Sequence, residues 1–191
     1  MLDEGPSTGL QFLLAAAAAG SPTAASVAGP LAVVVICLFL SALFSGAEAG
    51  FLALSRLQVL ELEEQGHPRA KLLLRIIEKP AELVSALLIA NTTVNVLIAI
   101  LWGMVVSVVL APWATTPGME YAQLFLQIVV LTLIVVILAE VTPKAWAHNF
   151  PLQFCTAVAP LIAPVITISA PAVAVFQTLA NGILRLFGIR S

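Results

Sequence analysis

The stretch FLSALFSGAEAGFLALSR, residues 39–56, decides the fold. It closes an apolar run that begins at Leu31 and reaches the roughly 20 residues needed to cross a bilayer, yet it carries Ser41, Ser45, Gly46 and Glu48 inside that run. In a helix, spacings of four and three put Ser41, Ser45 and Glu48 on one face. A charged side chain at that depth costs about 2.5 to 3.5 kcal/mol even on lenient insertion scales. The face therefore needs something to meet.

The rest of the chain agrees with a membrane setting. Of 191 residues, 61% are hydrophobic and 9% charged, against about 25% charged in soluble domains. An all-α integral membrane protein follows. The net charge of -2 and the lack of a basic, aromatic-interleaved patch exclude nucleic acid as a partner. Cys37 and Cys155 lie far apart in apolar segments and read as small buried hydrophobes, not as a disulfide or metal pair. His67 and His148 sit in polar connectors without a serine or cysteine partner, so nothing suggests an enzyme.

Three windows qualify as spans, residues 31–55, 83–110 and 121–140. Residues 1–30 hold an apolar run too short to span and no Lys or Arg before it, so they are read as a flexible extracytoplasmic tail. Arg56, Arg69, Lys71, Arg75 and Lys79 follow the first window, Lys144 follows the third, and Arg185 and Arg190 close the chain. All eight positive charges fall on one side if the N-terminus is outside, three spans are crossed and the C-terminus is cytoplasmic. The connector RLQVLELEEQGHPRAKLLLRIIEKP, residues 56–80, predicts two short amphipathic helices split at Gly66 and Pro68, with Leu72, Leu73, Ile76 and Ile77 on one stripe. In residues 151–187, Pro151, Pro160, Pro164 and Pro171 predict a Pro-broken juxtamembrane or re-entrant helical belt, with a fourth span as the alternative.

Each span carries a polar cluster. The second offers Asn91 and Asn95 within ANTTVN, four apart on one face, with Thr92 and Thr93 beside them; the third offers Glu140 within LAEVTPKAW. At about 1.5 Å of rise per residue, Asn91 lies ~16 Å from Pro80, a depth at which the three clusters can meet. Two carboxylates, two hydroxyls and two amide carbonyls, without Cys or His, suit a hard divalent cation such as Mg²⁺, which takes six oxygens at about 2.0 to 2.1 Å. Pro143 has no N–H, so the Ala139 carbonyl four residues earlier loses its donor and becomes a candidate ligand; Gly46 is expected to loosen the first span similarly. The competing reading is structural. Serine and asparagine hydrogen-bond between helices, small residues such as Ala42, Gly46 and Gly50 allow close packing, and Lys144 anchors at the inner interface.

The three motifs LFSGAEAGFLALSR, LLIANTTVNV and LAEVTPKAWA, one per span and in this order, resemble the transmembrane domain of the CorC and cyclin M (CNNM) family of magnesium transporters, over about residues 31–185. The resemblance implies a homodimer with three spans and a juxtamembrane belt per subunit, in the cell (inner or plasma) membrane, exporting Mg²⁺ at the expense of inward Na⁺. It assigns Ser45 and Gly46 to the first motif, Asn91 and Asn95 to the second, and Glu140 with Pro143 to the third. Ser41 and the carbonyls near Gly46 and Ala139 complete the Mg²⁺ shell. Glu48 matches the bacterial form of the first motif and is assigned to the coupling Na⁺. Ala90 and Ala139 stand where the family often has glycine. Full-length members continue into a cytoplasmic CBS-domain pair, so this chain is read as an isolated membrane domain. The rival functions are a non-transporting sensor or scaffold module and a carrier of monovalent cations only.

Overall fold

A computed structural model describes residues 24–110 and 119–186, and all their regular structure is helical. Helix α1 (Ala24–Ala53) begins inside the segment read as tail, because Ala24, Ala25 and Ala28 are strong helix formers; residues 1–23 lie outside the described part. Then come α2 (Arg56–Glu64), α3 (Ala70–Ile77) and the long α4 (Pro80–Leu110). A third long rod consists of α5 (Met119–Ile134), a π-helical segment (Val135–Val141) and α6 (Thr142–Asn149), and α7 (Pro151–Leu186) follows. The chain is thus an all-helical membrane domain. Four stretches, Val27–Ala53, Pro80–Leu110, Tyr121–Asn149 and Pro151–Leu179, are long and apolar enough to cross a membrane.

Two of these differ from the sequence reading. The third rod continues past Glu140 to Asn149, because Pro143 falls at the start of α6, where its missing amide costs little. The last segment is one unbroken helix that contains Pro160, Pro164 and Pro171. At Pro160 the reason is visible. The proline leaves the Thr156 carbonyl without its donor four residues on, and the Arg69 guanidinium supplies one at 2.8 Å.

The two connector helices form as their amphipathic pattern predicts. Gly66 adopts φ 74°, the left-handed conformation that glycine tolerates best, and ends α2. The amide of His67 donates to the Leu62 carbonyl at 3.1 Å and that of Gly66 to Glu63 at 2.9 Å, a pair that closes the helix end. In α3, Ala70, Leu73 and Ile76 are buried. At the start of α2, the Ser55 hydroxyl accepts from the Leu57 amide at 3.3 Å, and the Gln58 side chain accepts from the Ser55 amide at 3.2 Å. Ser55→Ala removes that reciprocal cap and is expected to lower stability by about 1 kcal/mol, read by denaturant titration of the purified protein; a change below about 0.3 kcal/mol would show that the cap contributes nothing.

Burial concentrates at the connector end. Phe44, Ala47 and Phe51 of α1 pack with Val59, Leu73, Leu83, Leu87, Ala147 and the first third of α7, from Phe154 to Ile162. A smaller cluster of Val34, Cys37 and Ile98 lies further along α1 and α4. Outside these clusters, apolar side chains such as Phe39, Ile100 and Phe125 remain exposed, as a lipid-facing surface requires. Ser41, between the two clusters along α1, and Ser45, within the stretch of the larger one, are at 0% and 1% exposure the buried polar side chains of the described residues.

Candidate cation site

A buried hydroxyl in a membrane span needs a partner, and α1 finds its partners on α4, against which it packs most extensively. The Ser41 Oγ lies 2.8 Å from Asn91 Oδ1 and 2.7 Å from Asn95 Oδ1. A hydroxyl has one proton. It can donate to one of those amide oxygens at a time, so the other approaches at hydrogen-bond distance with no hydrogen between. Three oxygens are thus gathered with one proton among them.

The third rod supplies the remainder. The Ser45 hydroxyl faces the Glu140 backbone carbonyl at 3.4 Å, and the Asn95 Nδ2 faces Glu140 Oε1 at 3.5 Å. The contact to the carboxylate is long, so it is held near the Asn95 amide without being saturated by it. Ser41, Ser45, Asn91, Asn95 and Glu140 are therefore brought together, as their spacing predicted.

The backbone of this rod is the feature that the spacing did not reveal. The Thr142 amide donates five residues back, to Ile137, in the π-helical manner. In a regular helix it would have served Leu138. Pro143, which would have served Ala139, has no amide. The carbonyls of Leu138 and Ala139 both lose their ordinary donors next to Glu140, and for Leu138 the residue five further on is again Pro143. Ala139 is buried. Leu138 carried no sequence signal, because the proline marks only the carbonyl four residues before it. π-Helical turns occur often at functional sites for this reason.

Other candidates lie elsewhere. Helix α1 runs through Gly46 without a break, and a Cβ there would stand 2.7 Å from Cζ of Phe154. Gly46 serves close packing in place of the loosened backbone expected of it. The Glu48 carboxylate pairs with Lys144 at 3.1 Å, one turn along α1 from Ser45. Lys144 is thus tied to α1, and Glu140 stands as the one carboxylate among the amides. Thr92 and Thr93 face away, lining a cavity of about 540 Å³ with Leu88, Ile89 and Phe176. Among the described residues no three His, Cys, Asp or Glu side chains gather to hold a metal. The donors are hydroxyls, amides and carbonyls with a single carboxylate, a set suited to hard cations.

Residues 32–191 match the cyclin M transmembrane N-terminal domain. The chain is 30% identical over 155 residues to the UPF0053 inner membrane protein YfjD of Escherichia coli, covering 80% of this chain and 33% of that protein. It is 27% identical over 163 residues to a UPF0053 protein of Synechocystis and 28% identical over 163 residues to one of Haemophilus influenzae, each time covering 83% of this chain and 36% of the relative. The chain spans about a third of the length of the curated relatives it matches.

Proposed function

We propose, from the premise that this chain belongs to the cyclin M transmembrane N-terminal domain family, that it is the membrane domain of a magnesium transporter, coupled to Na⁺ and working by alternating access. The observation that carries the reading is the oxygen cluster at Ser41. Adjacent ligands of an octahedron with metal distances of about 2.0 to 2.1 Å stand roughly 2.9 Å apart, close to the 2.8 and 2.7 Å between Ser41 Oγ and the two asparagine oxygens. A cation between them removes the need for the second proton. Glu140, beside the two carbonyls that lose their ordinary donors, brings its carboxylate to 3.5 Å from Asn95, and the Ser45 hydroxyl lies 3.4 Å from the Glu140 carbonyl.

One carboxylate against a double charge leaves the bound cargo uncompensated by one unit. That favours release over trapping, as a transport site requires. Glu48, one turn away and paired with Lys144, is the group for which a coupling Na⁺ would compete. The charge distribution supports an outward N-terminus, and the relative named an inner membrane protein supports placement in a cell membrane. The family resemblance supports a homodimer.

Titration calorimetry of the purified protein with Mg²⁺, Ca²⁺ and Na⁺ tests the cargo. Wild type should bind Mg²⁺, and Asn91→Ala or Ser41→Ala should weaken it about tenfold or more, the loss of one oxygen ligand being worth about 1.5 to 3 kcal/mol. No Mg²⁺ heat from wild type would overturn the reading, and a Na⁺ heat alone would favour a monovalent carrier. Proteoliposome flux with and without a Na⁺ gradient tests the coupling, which a gradient-independent rate would remove.

A further inference from the structure

A second site lies at the corner where α3 meets the start of α4 and the middle of α7. Here Arg75 and Lys79, four residues apart, stand on the rim of a cavity of about 270 Å³ with an apolar floor of Leu72, Ile76, Leu83 and Ile166. Both basic side chains are exposed. Lys79 pairs with Glu82 at 3.0 Å, while Arg75 makes no ion pair or side-chain hydrogen bond among the described residues. Two cations and one carboxylate leave one positive charge on the rim, the complement of one phosphodiester.

The cavity does not end at the rim. Glu82, Ile166 and Thr167 also line a second cavity of about 370 Å³ that runs on along α7 past Ala170 and Val173. Together they form a groove charged at one end, lined mainly by apolar side chains of α7 along its length and closed by Gln177 at the far end. Pro171 has no amide, so the carbonyl of Thr167, a residue that lines the groove, lacks its donor four residues on. It and the Glu82 carboxylate can accept from a headgroup hydroxyl. The rim adjoins Pro80, the first residue of a stretch long and apolar enough to cross a membrane, which puts the charged end at interfacial depth.

We propose that this corner binds one glycerophospholipid with an anionic, hydroxyl-bearing headgroup, its phosphate between Arg75 and Lys79 and an acyl chain along α7. A free phosphate would leave the apolar floor unused, and a zwitterionic lipid would leave the rim charge unbalanced. Basic residues next to a span attract anionic headgroups by ordinary electrostatics. This site stands apart from the cation reading, and its failure leaves that reading untouched.

Native mass spectrometry of the detergent-purified, delipidated chain tests it, with phosphatidylglycerol, phosphatidylcholine and inorganic phosphate as probes. Phosphatidylglycerol should bind well above phosphatidylcholine, and Arg75→Gln with Lys79→Gln should lower it about tenfold or more, from the lost attraction of two basic residues. Thr167→Trp, which fills the groove and leaves the rim charges in place, should lower it as well. Thermal melting checks that these exposed substitutions leave the fold intact. Equal binding of the two lipids, no effect of the double substitution, or displacement by inorganic phosphate at equal concentration would overturn the proposal. So would efficient disulfide formation between copies carrying Thr167→Cys in membranes, which would make the groove an interface between chains.

Discussion

Glu140→Gln is expected to abolish measurable Mg²⁺ binding while leaving the protein at least as stable as wild type. The substitution keeps shape and removes the one carboxylate that faces the amides of α4. Removing a charge from a buried pair costs about 3 to 5 kcal/mol, a loss of roughly a hundredfold or more in affinity at 1.4 kcal/mol per tenfold. Folding responds in the opposite sense. The carboxylate makes only a long contact to Asn95, at 3.5 Å, too weak to repay burial at depth, which costs about 2.5 to 3.5 kcal/mol. Calorimetry and denaturant titration of one variant therefore separate the two readings of the polar cluster. Weaker binding with retained stability supports a cation site. Lower stability with unchanged binding would make the cluster a helix-locking device, as a sensor or scaffold module would require.

Gly46→Val is the second large effect, and it acts through packing. A Cβ at Gly46 meets Phe154 Cζ at 2.7 Å and both Cε atoms at 3.3 Å. The ring cannot swing aside freely, because Phe154 is 8% exposed and packs edge-to-face on Trp146 at 5.5 Å between centroids. Overpacking of this kind costs about 1 to 3 kcal/mol, with valine toward the upper end. Gly50 faces the same wall, with Cys155 Sγ 3.1 Å from its would-be Cβ. Small residues four apart thus bring α1 against α7, the close approach on which packing inside a bilayer depends. In a Phe154→Ala background, itself destabilised by the lost ring, Gly46→Val should cost little more; a double variant as unstable as the sum of the two single ones would show that the contact is not the cause. Ser45 is the next residue, so the same displacement should also weaken Mg²⁺ binding.

Much of the polar cluster was legible because its residues are costly where they stand. Ser41, Ser45, Asn91, Asn95 and Glu140 are polar groups at a 3.6-residue spacing inside apolar windows, and a helix leaves them no freedom about which face they share. The connector helices were legible for a related reason, since Gly66 and the Leu and Ile stripe of α3 specify a stop and a face locally. The prolines of α7 misled. Proline removes a donor without forcing a break, and at Pro160 Arg69, 87 residues away in sequence, replaces that donor at Thr156. Glu48 and Lys144 likewise gave no sign of each other across 96 positions of the chain, which is why one was assigned to an ion and the other to the interface.

Composition and periodicity by themselves determined that this is a helical membrane domain and which polar side chains must seek partners, because both follow from the cost of placing polar groups in hydrocarbon. Only the tertiary structure decided how those partners are shared out. It turned Glu48 to Lys144, left Glu140 beside Asn95, packed Gly46 on Phe154, and shifted the Thr142 amide to Ile137, away from the Leu138 carbonyl it would otherwise serve. Each of those outcomes depends on a distance between helices, and a distance between helices is set by the sum of all their contacts.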